Sequence, residues 1–273
     1  MKIHTALHRW ILPPEICKRV GQLYFDISGV NGSDRNMLIR NMQFRNKYEK
    51  RRCFIIGNGP SLNQLDLSLL KNDITIAMNR FDQHPILGAW QPNFLCMFDP
   101  AASFARPDLR EQMKTVLKGV TPRDGFFFHI SNKPIIESFG IGSHKVFFAK
   151  TNLDVKLLTN TDREWDLTGP VPGGWSTSVL ALILAMYLGC KEIYMVGMDH
   201  NWLADKTYCT HFYQYQEEEH QTYVEMMEYV LKVFKGYEVI KKYACQRDIR
   251  ILNATPDSYL DVFPRVKYET VFQ

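Results

Sequence analysis

None of the six cysteines is part of a CxxC pair; they stand alone at positions 17, 53, 96, 190, 209 and 245. That spacing excludes the paired patterns of zinc ribbons and dithiol redox motifs, and it outlines no disulfide framework. Cys53, Cys96 and Cys190 sit in or beside apolar runs, so buried thiols in a reduced, cytoplasmic setting are expected. Long apolar runs are lacking as well. The longest, VLALILAMYL at 179–188, is about half of what a membrane-spanning helix needs. The N-terminus begins positive but has no signal-peptide core, because His8 and Arg9 interrupt it and Pro13-Pro14 ends it. There is no internal repeat and no low-complexity linker. Neither sign of charge dominates. The formal net charge of +4 is too mild to argue for nucleic acid. Basic residues do gather between Arg35 and Arg52. A solvated helix face explains them, with an anionic membrane surface or substrate as the sharper alternative.

What is present is ordinary globular material: 273 residues, 45% hydrophobic and 23% charged. That suffices for one large α/β domain or two small ones. Residues 1–50 read as a helical extension, with PPEICKRVGQLYF at 13–25 showing helical apolar spacing. From 51 to 273, short β-rich runs alternate with helical stretches. The strand candidates are CFIIG (53–57), ITIAMN (74–79), FLCMFD (94–99), GFFFHI (125–130), KVFFA (145–149), EIYMVGMD (192–199) and IRILNA (249–254). Several are continuously apolar, as strands covered on both faces must be. The helical candidates are 108–119, 176–189 and a long helix within 216–246. This alternation predicts an α/β fold: a Rossmann-like, doubly wound, mostly parallel sheet, a variant of the GT-A type, with the helical extension in front. Ligands of such sheets bind beyond the carboxyl ends of the strands, which selects Asn58, Asn79, Asp99, Asp199 and His200.

Two segments have the spelling of phosphate-facing turns. GNGPSL at 57–62 offers two glycines and then Pro60 and Ser61, which suit the first turn of a helix whose N–H groups would face an anion. It lacks the third glycine of a dinucleotide fingerprint and the Gly-Lys-Ser/Thr of a Walker loop. Alone it reads first as a plain strand-to-helix turn and second as a nucleotide loop. GGWSTS at 173–178 is the second segment, with Ser176 or Thr177 as cap and Gly189 where a helix-ending glycine belongs. Its helix is apolar all round and is expected to be central and buried. Together the two helix starts favour a nucleotide cleft.

FIIGNGPSL, IAMNRF and STSVLALILAMYLGCKEIYMVGMDH resemble the bacterial sialyltransferases that modify lipooligosaccharide. They resemble equally a broader family named after 6-hydroxymethylpterin pyrophosphokinase, whose members often accompany surface-polysaccharide genes. The resemblance spans about residues 50–265. It implies a Rossmann-like domain, a CMP-sugar donor and no metal or cofactor. It also implies donor-binding roles for Asn58, Gly59 and Ser61, with Pro60 in the same loop, and for Asn79, Ser176, Thr177 and Asp199. Two positions depart from the sialyltransferase pattern. His200-Asn201-Trp202 stands where those enzymes place a tyrosine near the leaving phosphate, and an arginine before the Thr-Ser pair is replaced around Gly174.

The catalytic histidine of those enzymes has no clear counterpart here, so that role rests on chemistry. Sugar transfer needs a base for the acceptor hydroxyl, which a histidine supplies, and hydrogen-bond donors for the departing phosphate. TYCTHFYQY at 207–215 contains both: His211 as the base, with Tyr208, Tyr213 and Tyr215 around it. A structural histidine in an aromatic loop is the bland alternative. His200 is the reserve base, and His220 within EEEHQ is expected to face solvent. Asp99 and Asp199 could hold a magnesium–phosphate complex and are kept as site residues with no metal assigned. ILNATPDSYLDVFPRV at 251–266 reads as a last strand, a turn, and a short helix in which Tyr259 and Phe263 pack, with Asn253 and Thr255 near the site.

The expectation is a cytoplasmic, metal-independent, inverting glycosyltransferase of bacterial surface polysaccharide (lipopolysaccharide or capsule) synthesis. It would move a sialic-acid-like sugar from a CMP donor to a glycan or lipid-linked glycan. Peripheral contact with the inner membrane and homo-oligomerisation are further expectations. The rivals are a Mg-ATP-dependent pterin pyrophosphokinase and a non-catalytic nucleotide-binding protein.

Overall fold

The computed structural model describes residues 32–101, 103–140, 145–152, 161–162, 164–173, 175–204, 211–213 and 222–273. Among these, eight strands form one sheet: β1 Arg52–Ile56, β2 Ile74–Met78, β3 Phe94–Met97, β4 Gly125–His129, β5 Val146–Asn152, β6 Pro170–Pro172, β7 Glu192–Val196 and β8 Arg250–Asn253. Their order is β6-β5-β4-β3-β2-β1-β7-β8. Every pairing is parallel. The expected mostly parallel, Rossmann-like arrangement is therefore present and is parallel throughout. β1 lies between β2 and β7, where the order of the strands reverses, and this is the crevice where such sheets hold ligands.

The apolar runs are continuous because alternate residues feed two cores. Ile55, Ile76, Cys96, Phe127, Phe147 and Met195 face one side. Phe54, Ile56, Ala77, Leu95, Phe128 and Val196 face the other. Helices α1 Gly32–Ile39, α2 Pro107–Gly119, α3 Lys133–Ser138, α4 Thr177–Tyr187 and α5 Tyr223–Cys245 complete the layers. α4 is buried along its whole length, as its apolar sequence requires. Its last carbonyls accept backbone N–H bonds from another segment: Asn46 N–H to Tyr187 O at 2.9 Å and Tyr48 N–H to Leu188 O at 2.8 Å. This close approach explains Gly189. It has φ +86°, and a Cβ there would lie 3.0 Å from the Asn46 Cα. Phe44 inserts into the core against Phe94, Phe127 and Phe147, with centroids at 5.2, 5.6 and 4.6 Å. Asn41 donates to the Phe148 and Leu167 carbonyls, both at 2.8 Å.

Three expectations are corrected. The helix after GNGPS is a five-residue 3-10 turn, Pro60–Gln64, and not an α-helix with free N–H groups. No helix follows β8 through Tyr259 and Phe263; the final helical turn is Tyr268–Phe272. Phe263 packs against Tyr237, whereas Tyr259 is 56% exposed. β6 was not anticipated, because Pro-Val-Pro carries no period, and prolines are tolerated on the edge strand that it forms. The helical spacing at 13–25, together with Cys17, Cys209, Tyr215 and His220, lies outside the described residues. No described helix is long and apolar enough to cross a membrane.

Candidate functional site

The ends of β1 and β7 are sewn together. Gly57 N–H donates to Val196 O at 2.8 Å, and Gly59 N–H to Gly197 O at 2.9 Å. A Cβ on Gly57 would stand 2.2 Å from Gly197 O, and one on Gly59 only 1.7 Å from Asp199 Oδ2. The glycines of GNGPS thus make room for a neighbouring strand end. Asp199 closes the seam: Ser61 donates its N–H to Oδ1 at 3.0 Å and its hydroxyl to Oδ2 at 2.7 Å. Burial pushes the Asp199 pKa up, and the two bonds from Ser61 oppose that shift. From behind, Thr255 Oγ1 accepts the Met198 N–H at 3.0 Å and Tyr259 N–H donates to Asp199 O at 2.8 Å. Asn253 holds that outer loop, accepting from Thr255 N–H and donating to Leu260 O. Asn253 and Thr255 therefore support the strand ends from the sheet side.

Above the seam a cleft opens, lined by Asn58, Gly59, Asn79, Ser176, Thr177, Asp199, His200 and His211 among others. Eight residues picked from the sequence are brought together there. Ser61 lies beneath it, 3% exposed, with its hydroxyl committed to Asp199. Pro60 and Asp99 are not in the lining. Asp99 is exposed at the end of β3, and its carbonyl accepts from Asn132 Nδ2 at 2.7 Å. Tyr213 lies beside His211, with ring centroids 4.9 Å apart, and Tyr208 is outside the described residues. Phe212 N–H donates to Asn58 O at 2.7 Å, which ties the His211 turn to the first loop.

Three backbone positions at this rim have positive φ: Asn79 (47°), Trp175 (56°) and His200 (52°). Asparagine tolerates that region; tryptophan does not adopt it without strain, and strain of this kind clusters at functional sites. Three residues that line the cleft each carry a buried side-chain polar atom with no partner: Asn58 Oδ1, Asn79 Oδ1 and His200 Nδ1. Buried polar atoms of this kind call for a partner.

α4 begins at the same cleft. Ser176 is its N-cap, accepting the Ser178 N–H, and Thr177 Oγ1 accepts the Phe98 N–H at 3.4 Å. A buried helix start carries partial positive charge, which suits an anion. Burial lowers the pKa of His200 to about 3 and that of His211 to about 4, so both imidazoles are neutral at pH 7. Sequence reasoning missed Ser178, Trp202 and Tyr237. Tyr237 is fully buried on α5, and its hydroxyl lies 2.9 Å from His200 Nε2. Its only trace in the sequence is a phenol on a largely apolar helix face, which also carries Tyr243. Among the described residues, no group of three or more His, Cys, Asp or Glu is arranged to hold a metal.

Comparison with solved structures finds several similar chains. The sialyltransferase CstII from Campylobacter jejuni, in complex with cytidine-5'-monophosphate, is 18% identical with a TM-score of 0.47, over 80% of this chain and 85% of that one. The MAF glycosyltransferase from Magnetospirillum magneticum AMB-1 is 12% identical with a TM-score of 0.50, over 86% of this chain and 38% of that one. A mammalian sialyltransferase is 14% identical with a TM-score of 0.39, over 88% of this chain and 85% of that one. No curated protein matches. The model of the family described as 6-hydroxymethylpterin diphosphokinase MptE-like matches residues 35–205, and the chain belongs to that MptE-like family.

Proposed function

We propose that this protein is a glycosyltransferase that takes a sialic-acid-like sugar from a CMP donor and passes it, with inversion, to a glycan or lipid-linked glycan of the bacterial surface. The carrying observation is one cleft that combines the capped start of α4, unpaired amide oxygens on Asn58 and Asn79, and two neutral imidazoles. The CMP donor, the sialic-acid-like sugar, the inversion and the surface glycan are taken over from the sequence resemblance; the roles given to the residues are argued from chemistry. The donor phosphate lies at the start of α4, where the Ser176 hydroxyl and the helix N-terminus meet its charge. Asn58 and Asn79 line the part of the cleft given to the nucleoside. In the transfer the acceptor O–H bond breaks and its proton passes to an imidazole. The oxygen bonds to the anomeric carbon, and the carbon–phosphate oxygen bond breaks with its electron pair leaving on CMP. His211, which the sequence favours, is the proposed base, with His200 in reserve; both residues line the cleft.

The Mg-ATP pyrophosphokinase reading would call on Asp99 and Asp199. Asp199 has both oxygens engaged by Ser61, and Asp99 is outside the cleft, which favours the transferase. The two separate in one assay. CMP release from CMP-sialic acid, undiminished by EDTA, is expected. AMP release from ATP that depends on a pterin and magnesium, with no CMP release, would overturn the proposal.

A further inference from the structure

Two indoles, a phenol and a carboxylate gather at the α5 side of the cleft mouth. Trp175 directly precedes Ser176, is 39% exposed, and keeps its backbone at φ +56°. Glycine suits that conformation and tryptophan does not, so the indole is retained against strain. The Lys232 ammonium holds it, 5.0 Å from the ring centroid. Trp202 lines the cleft and packs on Tyr229, with centroids 5.6 Å apart. Tyr229 and Lys232 are three positions apart on α5, so both indoles meet the same stretch of that helix. The carboxylate comes from β3. Phe98 N–H donates to Thr177 Oγ1 at 3.4 Å, which lays the end of β3 against the start of α4. Asp99 follows at once. It is open to solvent, yet enough protein surrounds it to raise its carboxyl above the ordinary value. Burial and then the Asp99 charge push the Tyr229 phenol up to about 12. Such an effect acts at short range, so the carboxylate stands near that ring.

We propose that Asp99, Trp175, Trp202 and Tyr229 form the acceptor subsite, where the rings pack on the apolar C–H face of a terminal pyranose and the carboxylate accepts hydrogen bonds from its hydroxyls. The inference rests on the transferase reading given above. A pyranose has two kinds of surface. Its axial C–H bonds make a face that fits an aromatic ring, and the hydroxyls around its edge seek acceptors. An ionised carboxylate only accepts, and its two oxygens can serve adjacent hydroxyls. Of the two strand-end carboxylates, Asp199 is held by Ser61 on both oxygens, whereas among the described residues no cation pairs with Asp99. The subsite adjoins the donor cleft through Ser176 and Trp202, as a transfer between two bound substrates requires. A purely structural Trp175 would pack on Lys232, and a purely structural Asp99 would cap the turn before Pro100. Neither would then affect the affinity for a saccharide.

The test is steady-state transfer by the full-length protein from CMP-sialic acid to lactose and to oligosaccharides ending in glucose, mannose, N-acetylglucosamine or heptose. Asp99→Asn keeps the shape and removes the charge. It is expected to raise acceptor KM about tenfold, as the loss of a charge-assisted hydrogen bond does, and to change donor KM much less. Trp175→Gly removes the indole where glycine suits the backbone, so the melting midpoint should hold while acceptor KM rises about two- to tenfold. Trp175→Phe should recover most of that loss. Wild-type acceptor KM in both folded variants overturns the proposal, and so does a rise confined to donor KM. CMP release to water with no transfer to any of these saccharides overturns the acceptor subsite and leaves the donor site standing. Absence of CMP release altogether overturns the transferase reading and this inference with it.

Discussion

Gly59 faces the Asp199 carboxylate so closely that no other residue fits. An added methyl would meet Oδ2 at 1.7 Å and the Gly197 carbonyl at 2.8 Å. Gly59→Ala must part β1 from β7 or break the Asp199–Ser61 pair. A loss of about 1–3 kcal/mol is expected for such overpacking, read as a fall of several degrees in the midpoint of a thermal melt. At the two histidines the consequence is one of pH. Burial lowers both folded-state pKa values, to about 3 and about 4, whereas an unfolded histidine titrates near ~6.5. Below ~6.5 the unfolded chain binds protons that the native protein refuses, so stability is full above that pH and falls as pH drops toward 4. His200→Gln is expected to flatten this fall in urea melts recorded between pH 7 and 4.

α4 carries the second set of consequences, because it is both the central packed helix and the wall of the cleft. Its cap is a single hydroxyl, Ser176. Ser176→Ala is expected to cost about 1 kcal/mol of stability, the usual value of an N-cap. It should also weaken CMP about ten- to a hundredfold, since a hydrogen bond to a charged phosphate is lost. Both effects are measurable on one sample by melting and calorimetry. The elements were largely legible in the sequence. The apolar strand runs lie within a few residues of β1–β5, β7 and β8, because burial on both faces writes itself as an unbroken run. β6 was not legible, since three residues at an edge leave no pattern. Strand-end reasoning found Asn58, Asn79, Asp199 and His200 because β1, β2 and β7 meet at the crossover point. It also selected Asp99, which falls outside the cleft because β3 lies two strands away from β1. Tyr237 could not be recognised as a site residue from the sequence. Its partner His200 is 37 positions away, and only the packing of α5 on α4 brings the two into contact.

For the whole molecule, a single parallel sheet covered on both faces divides the described cysteines sharply. Cys53, Cys96 and Cys190 are buried and Cys245 is exposed. Burial also pushes the Cys53 and Cys96 thiols up, away from the reactive thiolate. Alkylation of the native protein, mapped by mass spectrometry, should modify Cys245 readily and those three only after unfolding. The sheet's crossover point gathers the other distinctive features as well: the glycine seam, positive φ at Asn79, Trp175 and His200, unpaired buried acceptors, and the start of the buried helix. Titration of the purified protein with CMP in a calorimeter, with and without EDTA, tests the central claim most directly. Saturable binding that is unchanged by EDTA and weakened by Ser176→Ala is predicted. Binding of ATP only, and only with magnesium, would contradict it.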